Sequence, residues 1–136
     1  MKISEKKIEK DLKYFEGLSD EQQERLANKL LDEQAYLTTF VQQNLDNLFD
    51  EGEEIVDFTY NLYYTLLFLI RNNLKKYRVI EKPDLEAVLA REDIRHSQEA
   101  LGDFIFTQLV ARGYTGDDVK KAAGLLNVVV KCFDEN

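Results

Sequence analysis

The sequence has few of the residues on which compact chemical sites usually depend. Its 136 residues include one histidine, one cysteine, one proline and one methionine, and no tryptophan. The single cysteine, Cys132, cannot form an internal disulfide, so no disulfide framework is present. The single histidine, His96, excludes the metal sites that use two or three histidines. The common nucleotide, hydrolase and metalloprotease motifs are also missing.

The sequence also lacks an apolar stretch of membrane-spanning length. Its most apolar run covers residues 55–70, but the run contains Asp57 and Asn61 and ends at Arg71. A bilayer crossing takes about 20 consecutive, mostly apolar residues. The first residues are charged and lack the apolar segment of a secretory signal. We therefore expect no membrane association and a cytoplasmic location.

Basic side chains are outnumbered. The chain has 18 Lys and Arg residues against 26 Asp and Glu residues, which gives a formal net charge of −8. A surface of that sign repels phosphate backbones, so the sequence predicts no nucleic-acid partner. The same charge favours a partner with a complementary basic surface.

What the sequence does have is helical periodicity and helix-end signals. Apolar residues recur at intervals of three and four. Ser19 followed by Gln22 forms a capping-box pattern, and Pro83 suits the first turn of a helix. We therefore predict an all-α fold in which residues 1–136 form a single helical domain. The predicted architecture is a bundle of four to five main helices around a nearly fully apolar central helix at about residues 53–77.

Two segments are harder to interpret. The second helix should run from about residue 20 to residue 49, and its middle, residues 32–34, has few apolar neighbours. A bend or a solvent-facing segment is expected there. The consecutive valines at residues 128–130 are typical of a strand. Because alanines and leucines precede them and no second strand is available for pairing, we predict a buried helix.

The predicted central helix carries an ordered set of polar residues. A helix that is apolar nearly all round must be buried nearly all round. Asp57, Asn61 and Thr65 follow one another at intervals of four, which places them in one stripe along the helix. Polar groups in such a position need hydrogen-bond partners or solvent. The stripe is therefore a solvent-facing edge, an internal polar network, or part of a pocket or partner groove.

Tyr60, Tyr63 and Tyr64 lie beside this stripe, and with Leu67 they form an apolar face. It is expected to lack full cover, because the predicted first helix is short and residues 90–99 contribute few apolar side chains. Exposed apolar patches usually mark an interface. We therefore predict a homodimer with two-fold symmetry through this tyrosine-rich face. The candidate binding residues are Asp57, Asn61, Thr65, Tyr60, Tyr63 and Tyr64.

His96 is the remaining residue with catalytic potential. Asp93 and His96 are separated by three positions, which is a ligand spacing of di-iron helical bundles, but such sites need the pair twice. The polar neighbours of His96 predict an exposed turn in which its replacement has little effect. Cys132 has no histidine near it in the sequence and is predicted to be an inert thiol. We expect no metal and no cofactor.

These observations favour a non-enzymatic protein-interaction module over an enzyme. An adaptor, an inhibitor or an immunity-type partner would fit the acidic charge and the absence of catalytic motifs. The alternatives are a helical-bundle enzyme that depends on a metal or a small molecule, and a structural homo-oligomer.

Overall fold

The computed structural model describes residues 2–50, 52–75, 77–91 and 95–134. Within those residues the chain forms seven α-helices and no strand, so the predicted all-α class is confirmed. None of the seven helices has the length and apolarity that a membrane crossing requires. In chain order the helices are α1 (Glu5–Glu16), α2 (Asp20–Glu33), α3 (Ala35–Leu48), α4 (Glu54–Asn73), α5 (Lys82–Leu89), α6 (Glu99–Ala111) and α7 (Gly116–Phe133).

Local side-chain chemistry explains where several helices begin and end. The Ser19 Oγ accepts a hydrogen bond from the Gln22 N–H, and the Gln22 Oε1 accepts one from the Ser19 N–H, at 3.2 Å and 3.0 Å. This is the predicted capping box at the start of α2. Pro83 lies in the first turn of α5, where its missing N–H costs nothing. Gly113 follows α6 with φ of 102°, which glycine adopts without strain.

The predicted second helix is divided into α2 and α3 at Gln34. The backbone of Gln34 leaves the helical conformation, with φ −110° and ψ 44°, and its side chain is fully buried. The Gln34 Nε2 donates to the Arg78 carbonyl at 2.7 Å, and its Oε1 accepts from the Ile80 N–H at 2.9 Å. The Gln34 side chain at this break therefore supplies hydrogen-bond partners for the backbone of the connector before α5. The expected bend is therefore present at Gln34. Of the three residues for which a solvent-facing segment was the alternative, Asp32 is exposed, Glu33 is half-buried and Gln34 is buried.

The described residues contain more helices than the four to five main helices predicted. The division at Gln34 accounts for one additional helix. The short helix α5, which ends at Leu89, is separated from α6 and accounts for another.

Helix α4 contains the apolar run and ends before the predicted residue 77. At its last residue, Asn73, the side-chain Nδ2 donates to the Leu69 carbonyl and to the Asp11 carboxylate, both at 2.7 Å. A side chain that binds the backbone in this way competes with continuation of the helix. The next residue, Leu74, is extended. Helices α2, α3 and α7 pack against α4, and every side chain from Leu66 to Ile70 is buried.

The three consecutive valines at residues 128–130 lie in α7, and all three are buried. Helices α3, α4, α5 and α6 pack against α7. A helix with neighbours on several sides needs apolar residues on several sides, which explains why β-branched residues follow one another here. The prediction of a buried helix is confirmed.

Replacing Leu66 with alanine should lower the free energy of unfolding by about 2–5 kcal/mol, because the fully buried side chain leaves a cavity. Urea denaturation followed by circular dichroism measures the change. Leu89→Ala is the control, since that leucine is half-exposed at the end of α5 and its loss should cost much less. Equal losses for the two variants would contradict this description of the core.

Candidate functional site

An open groove runs between α1 and α6 and reaches α4. It consists of two adjoining depressions of about 270 Å³ and 240 Å³, which share Leu12, Phe104 and Gln108. We call it the acidic groove. Its floor is apolar and consists of Ile8, Leu12, Phe15, Phe58, Leu62 and Phe104. Its rim is exposed and carries the carboxylates of Glu5, Glu9, Glu16 and Asp103.

The charged residues that line the acidic groove have one sign. The Arg112 guanidinium lies beside it, 5.3 Å from the centroid of the Phe58 ring, and pairs with Glu54. Among the described residues that line it there are four carboxylates and no lysine or arginine. A further depression between α2 and α4 is lined by Asp20, Glu24, Tyr60 and Tyr64, again with no basic residue among its described lining. A concave surface with carboxylates of one sign above apolar walls concentrates a negative potential. This region of the protein therefore attracts cationic groups.

The predicted polar stripe lies at the solvent-facing edge of α4. Asp57 and Asn61 are exposed and Thr65 is half-buried. The Thr65 Oγ1 donates to the backbone carbonyl of Asn61 at 3.0 Å, which is a bond within the helix and not between side chains. Asn61 and Thr65 line the α4 end of the acidic groove. Two of the three stripe residues, Asn61 and Thr65, thus border a groove, and the Thr65 hydroxyl bonds to the helix backbone and not to another stripe side chain.

Tyr63 lies inside the protein. Its side chain is 0% exposed, and its hydroxyl is 2.9 Å from the Thr38 Oγ1 on α3. Burial raises the pKa of Tyr63 far above its ordinary value, although the hydrogen bond with Thr38 opposes the shift. Leu67 is also 0% exposed. The prediction of a tyrosine-rich dimer face is therefore wrong at these two positions, because packing within one chain already covers them.

Tyr60 and Tyr64 are half-buried and remain partly accessible. Burial raises the pKa of Tyr60, and a hydrogen bond from Gln42 partly offsets this effect. The Tyr64 ring packs against the Phe15 ring with centroids 6.5 Å apart. Phe15 lines the acidic groove, so this ring pair separates the groove from the α2–α4 depression.

His96 is held in a hydrogen-bonded cluster that the sequence analysis did not predict. Its Nδ1 accepts from the Gln98 N–H at 3.1 Å, and its Nε2 lies 2.8 Å from the Asn127 Oδ1. One ring nitrogen accepts and the other donates, which assigns the neutral tautomer with hydrogen on Nε2. The side chain is half-buried, so the predicted exposed turn is wrong. Asp93, its predicted companion, lies outside the described residues.

The residues after His96 connect distant parts of the chain. The Gln98 Oε1 accepts from the Ile3 N–H at 2.9 Å. The Ser97 N–H and hydroxyl donate to the two carboxylate oxygens of Asp134 at 2.8 Å and 2.6 Å. Burial raises the pKa of Asp134, but the bonds from Ser97 and the charge of Lys131 outweigh it and hold the pKa below its ordinary value. The hydrogen bonds of this cluster therefore connect the segment before α6 to Ile3 and to Asp134.

The described residues contain no group of three histidine, cysteine, aspartate or glutamate side chains arranged to hold a metal ion. Cys132 is buried, and burial raises its pKa to about 12. The residue is therefore a thiol and not a nucleophilic thiolate at neutral pH. This agrees with the predicted inert role.

The acidic rim was missed from the sequence, although part of its signal was available. Glu5, Glu9 and Glu16 are spaced at four and seven residues, which places them on one side of α1. Asp103 belongs to α6, and only the packing of the chain brings it to the same groove.

No known protein family, curated protein or solved structure matches this chain. The function is therefore inferred from the residues of this chain alone.

His96→Ala should lower the free energy of unfolding by about 1–3 kcal/mol, because it removes the acceptor of the Gln98 N–H and the donor to Asn127. Chemical denaturation measures the loss. In a double-mutant cycle with Asn127→Ala, the double variant should lose less than the sum of the single variants. A change in the free energy of unfolding within about 0.5 kcal/mol would mean that His96 contributes no more to stability than an exposed residue does.

Asn61→Ala should change the free energy of unfolding by no more than about 0.5 kcal/mol, because the side chain is exposed and alanine is the better helix former. The same denaturation assay applies. A loss of about 1–3 kcal/mol would instead indicate that the amide belongs to a buried hydrogen-bonded network.

Proposed function

We propose that the protein is a non-enzymatic interaction module that holds a basic amphipathic helix of a partner protein in the acidic groove. The observation that supports this proposal is the lining of the groove, which combines an apolar floor with four carboxylates and no described basic residue. An adaptor, an inhibitor or an immunity-type protein would use such a surface in the same way. The proposed site of action is the cytoplasm.

The shape of the groove suits a helix. Helix α1 has 12 residues and is about 18 Å long, so the groove beside it can accommodate about three turns of a partner helix. An amphipathic helix enters such a groove with apolar residues at positions i, i+3, i+4 and i+7. Ile8, Leu12 and Phe104 would contact those residues.

The carboxylates would contribute mainly to specificity and to the rate of association. Glu5, Glu9 and Asp103 are exposed, and exposed ion pairs add little affinity. Complementary charge nevertheless speeds encounter and disfavours acidic competitors. The apolar floor would supply most of the affinity, and the association rate would fall with added salt.

The candidate residues from the sequence take different parts in this proposal. Asn61 and Thr65 offer hydrogen-bonding groups at the α4 end of the groove, one and two turns beyond Asp57. Tyr60 and Tyr64 offer a second contact area in the α2–α4 depression. Tyr63 has a structural part only, through its hydroxyl contact with α3.

The proposal includes a simplified architecture of five main helices. In this description α2 and α3 count as one helix broken at Gln34, and α5 counts as part of a connector. Helix α4 is the central helix, a view supported by the packing of α2, α3 and α7 against it.

No specific observation favours the enzyme alternative. Both ring nitrogens of His96 are engaged by Gln98 and Asn127, and neither partner lines the acidic groove. The proposed function needs no metal and no cofactor. The homo-oligomer alternative would bury an apolar face of α4 between subunits, but Tyr63 and Leu67 on that face are already covered within one chain.

The test uses a fluorescein-labelled synthetic peptide in which leucines and lysines alternate at helical spacing. Wild-type protein should bind the peptide, and Glu9→Lys/Asp103→Lys should weaken the affinity at least about tenfold, or about 1.4 kcal/mol. The matched control is Asp32→Lys/Asp46→Lys, which alters exposed residues of α2 and α3. Each pair of substitutions changes the net charge from −8 to −4, since each replaces −1 by +1. Fluorescence anisotropy measures the dissociation constants.

Only loss of affinity in the groove variant alone supports the proposal. Equal weakening in both variants would mean that the peptide responds to net charge and not to the groove. A second peptide with serine in place of leucine tests the floor, and it should bind weakly because it has no apolar face to bury. Equal affinity for the two peptides, or absence of binding by wild type, would contradict the proposed function.

A further inference from the structure

The two walls of the acidic groove begin at the same end of it. Ile3, two residues before α1, donates its N–H to the Oε1 of Gln98, the residue directly before α6, at 2.9 Å. From that end α1 runs from the first depression, where it contributes Glu5, to the second, where it contributes Glu16. Helices α1 and α6 therefore run in the same direction along the groove, toward its α4 end. We call the opposite end, where both helices start, the carboxylate end.

The carboxylates of the rim are concentrated at the carboxylate end. Glu5, Glu9 and Asp103 line only the first depression. Among the described residues that line the second depression, Glu16 is the one carboxylate. Glu5 and Glu9 are one turn apart on α1, and Asp103 belongs to α6. Carboxylates therefore border the carboxylate end from both walls.

The α4 end of the acidic groove has different chemistry. Asn61 and Thr65 line it with uncharged polar groups. The Arg112 guanidinium lies beside it, 5.3 Å from the centroid of the Phe58 ring. A lysine brought to the α4 end would meet one carboxylate and a nearby cation, whereas a lysine at the carboxylate end would meet three carboxylates. The two ends of the groove therefore attract a cation unequally.

We propose that the acidic groove selects a partner helix whose basic residues are confined to one half of its length. That half lies at the carboxylate end, between Glu5 and Glu9 on one wall and Asp103 on the other. The other half of the partner helix is uncharged and polar at its edges, and it lies against Asn61 and Thr65. This inference rests on the proposed function, since it requires a helix in the acidic groove.

The positions of the three carboxylates also set where the partner carries its basic residues. Because both walls have carboxylates, basic residues are needed on both sides of the apolar stripe that enters the groove. An amide such as that of Asn61 offers both a donor and an acceptor, so it suits uncharged polar side chains at the other end. Like charges brought together disfavour a complex. A helix with basic residues only near Arg112 is therefore disfavoured.

The dipoles of the wall helices do not cancel this difference. A helix dipole amounts to about half a charge at each end and acts within the first and last turns. Glu9 and Asp103 each occupy the second turn of their helix, and each carries a full charge. Side-chain charge therefore decides the direction of the partner helix. Basic residues in its first half place it parallel to α1 and α6, and basic residues in its second half place it antiparallel.

Two nitroxide-labelled peptides test the proposal. Both have the same leucines at helical spacing and a nitroxide at the N-terminus. One has lysines in its N-terminal half and glutamines in its C-terminal half, and the other has the reverse order. Nuclear magnetic resonance measures the loss of backbone amide signals near the label. The first peptide should broaden the signals of Glu5, Glu9 and Asp103 most strongly, and the second those of Asn61 and Thr65. Reduction of the nitroxide with ascorbate is the control and should restore the signals.

Single neutral substitutions measure the inequality of the two ends with the first peptide. Glu9→Gln should weaken binding about threefold, and Glu16→Gln should weaken it less, because Glu16 lies at the α4 end. Both replace one exposed carboxylate of α1 and change the net charge from −8 to −7. Asp46→Asn makes the same change on α3, outside the groove, and should leave the dissociation constant unchanged. Fluorescence anisotropy measures all three.

The outcomes separate this inference from the proposed function. A label that stays at one end with both peptides, binding by only one of the two, or equal losses for Glu9→Gln and Glu16→Gln would overturn the inference. The proposed function would stand in each of these cases, since a basic helix would still bind. Absence of binding by both peptides would overturn the proposed function and this inference with it.

Discussion

The structure depends on covering the second half of α4, in which every side chain from Leu66 to Ile70 is buried. Helices α2, α3 and α7 pack against α4, and α1 covers a further part through aromatic rings. The Tyr14 and Phe15 rings lie 6.4 Å and 5.3 Å from the Phe68 ring. The acidic groove is the space left between α1 and α6 beside this contact. The proposed binding surface is therefore a consequence of how α4 is covered.

The buried polar side chains connect segments that have no regular structure of their own. Gln34 satisfies backbone groups of Arg78 and Ile80, and Gln98 accepts a hydrogen bond from the Ile3 N–H. Each polar group that leaves water needs such a partner, since an unpaired one costs about 1–3 kcal/mol. These contacts determine where connectors lie and helices end, and they do not use the carboxylates of the acidic groove. Structural roles and the proposed recognition roles thus fall on different residues.

The helices could be predicted from the sequence because periodicity and capping are local. The capping box at Ser19 and the buried valines of α7 are examples. The roles of Tyr63 and His96 could not be predicted, because the partners Thr38 and Asn127 lie 25 and 31 residues away along the chain. The α1 side of the acidic groove follows from helical spacing, whereas Asp103 joins it only through tertiary packing. The sequence identifies Asn61 and Thr65 as polar residues in an apolar run. The groove beside them could not be predicted, because it is formed by helices that are distant in the sequence.

Nuclear magnetic resonance tests the central claim most directly, which is that the acidic groove binds a basic amphipathic helix. The backbone amide signals of the protein are followed while the leucine–lysine peptide is added. The proposed mode of binding predicts that the largest shifts fall in Glu5–Glu16, in Glu99–Ala111 and around Asn61, with small shifts at Lys120 and Lys121. Shifts that cluster on α3 and α7, or that are spread evenly over the exposed acids, would contradict it.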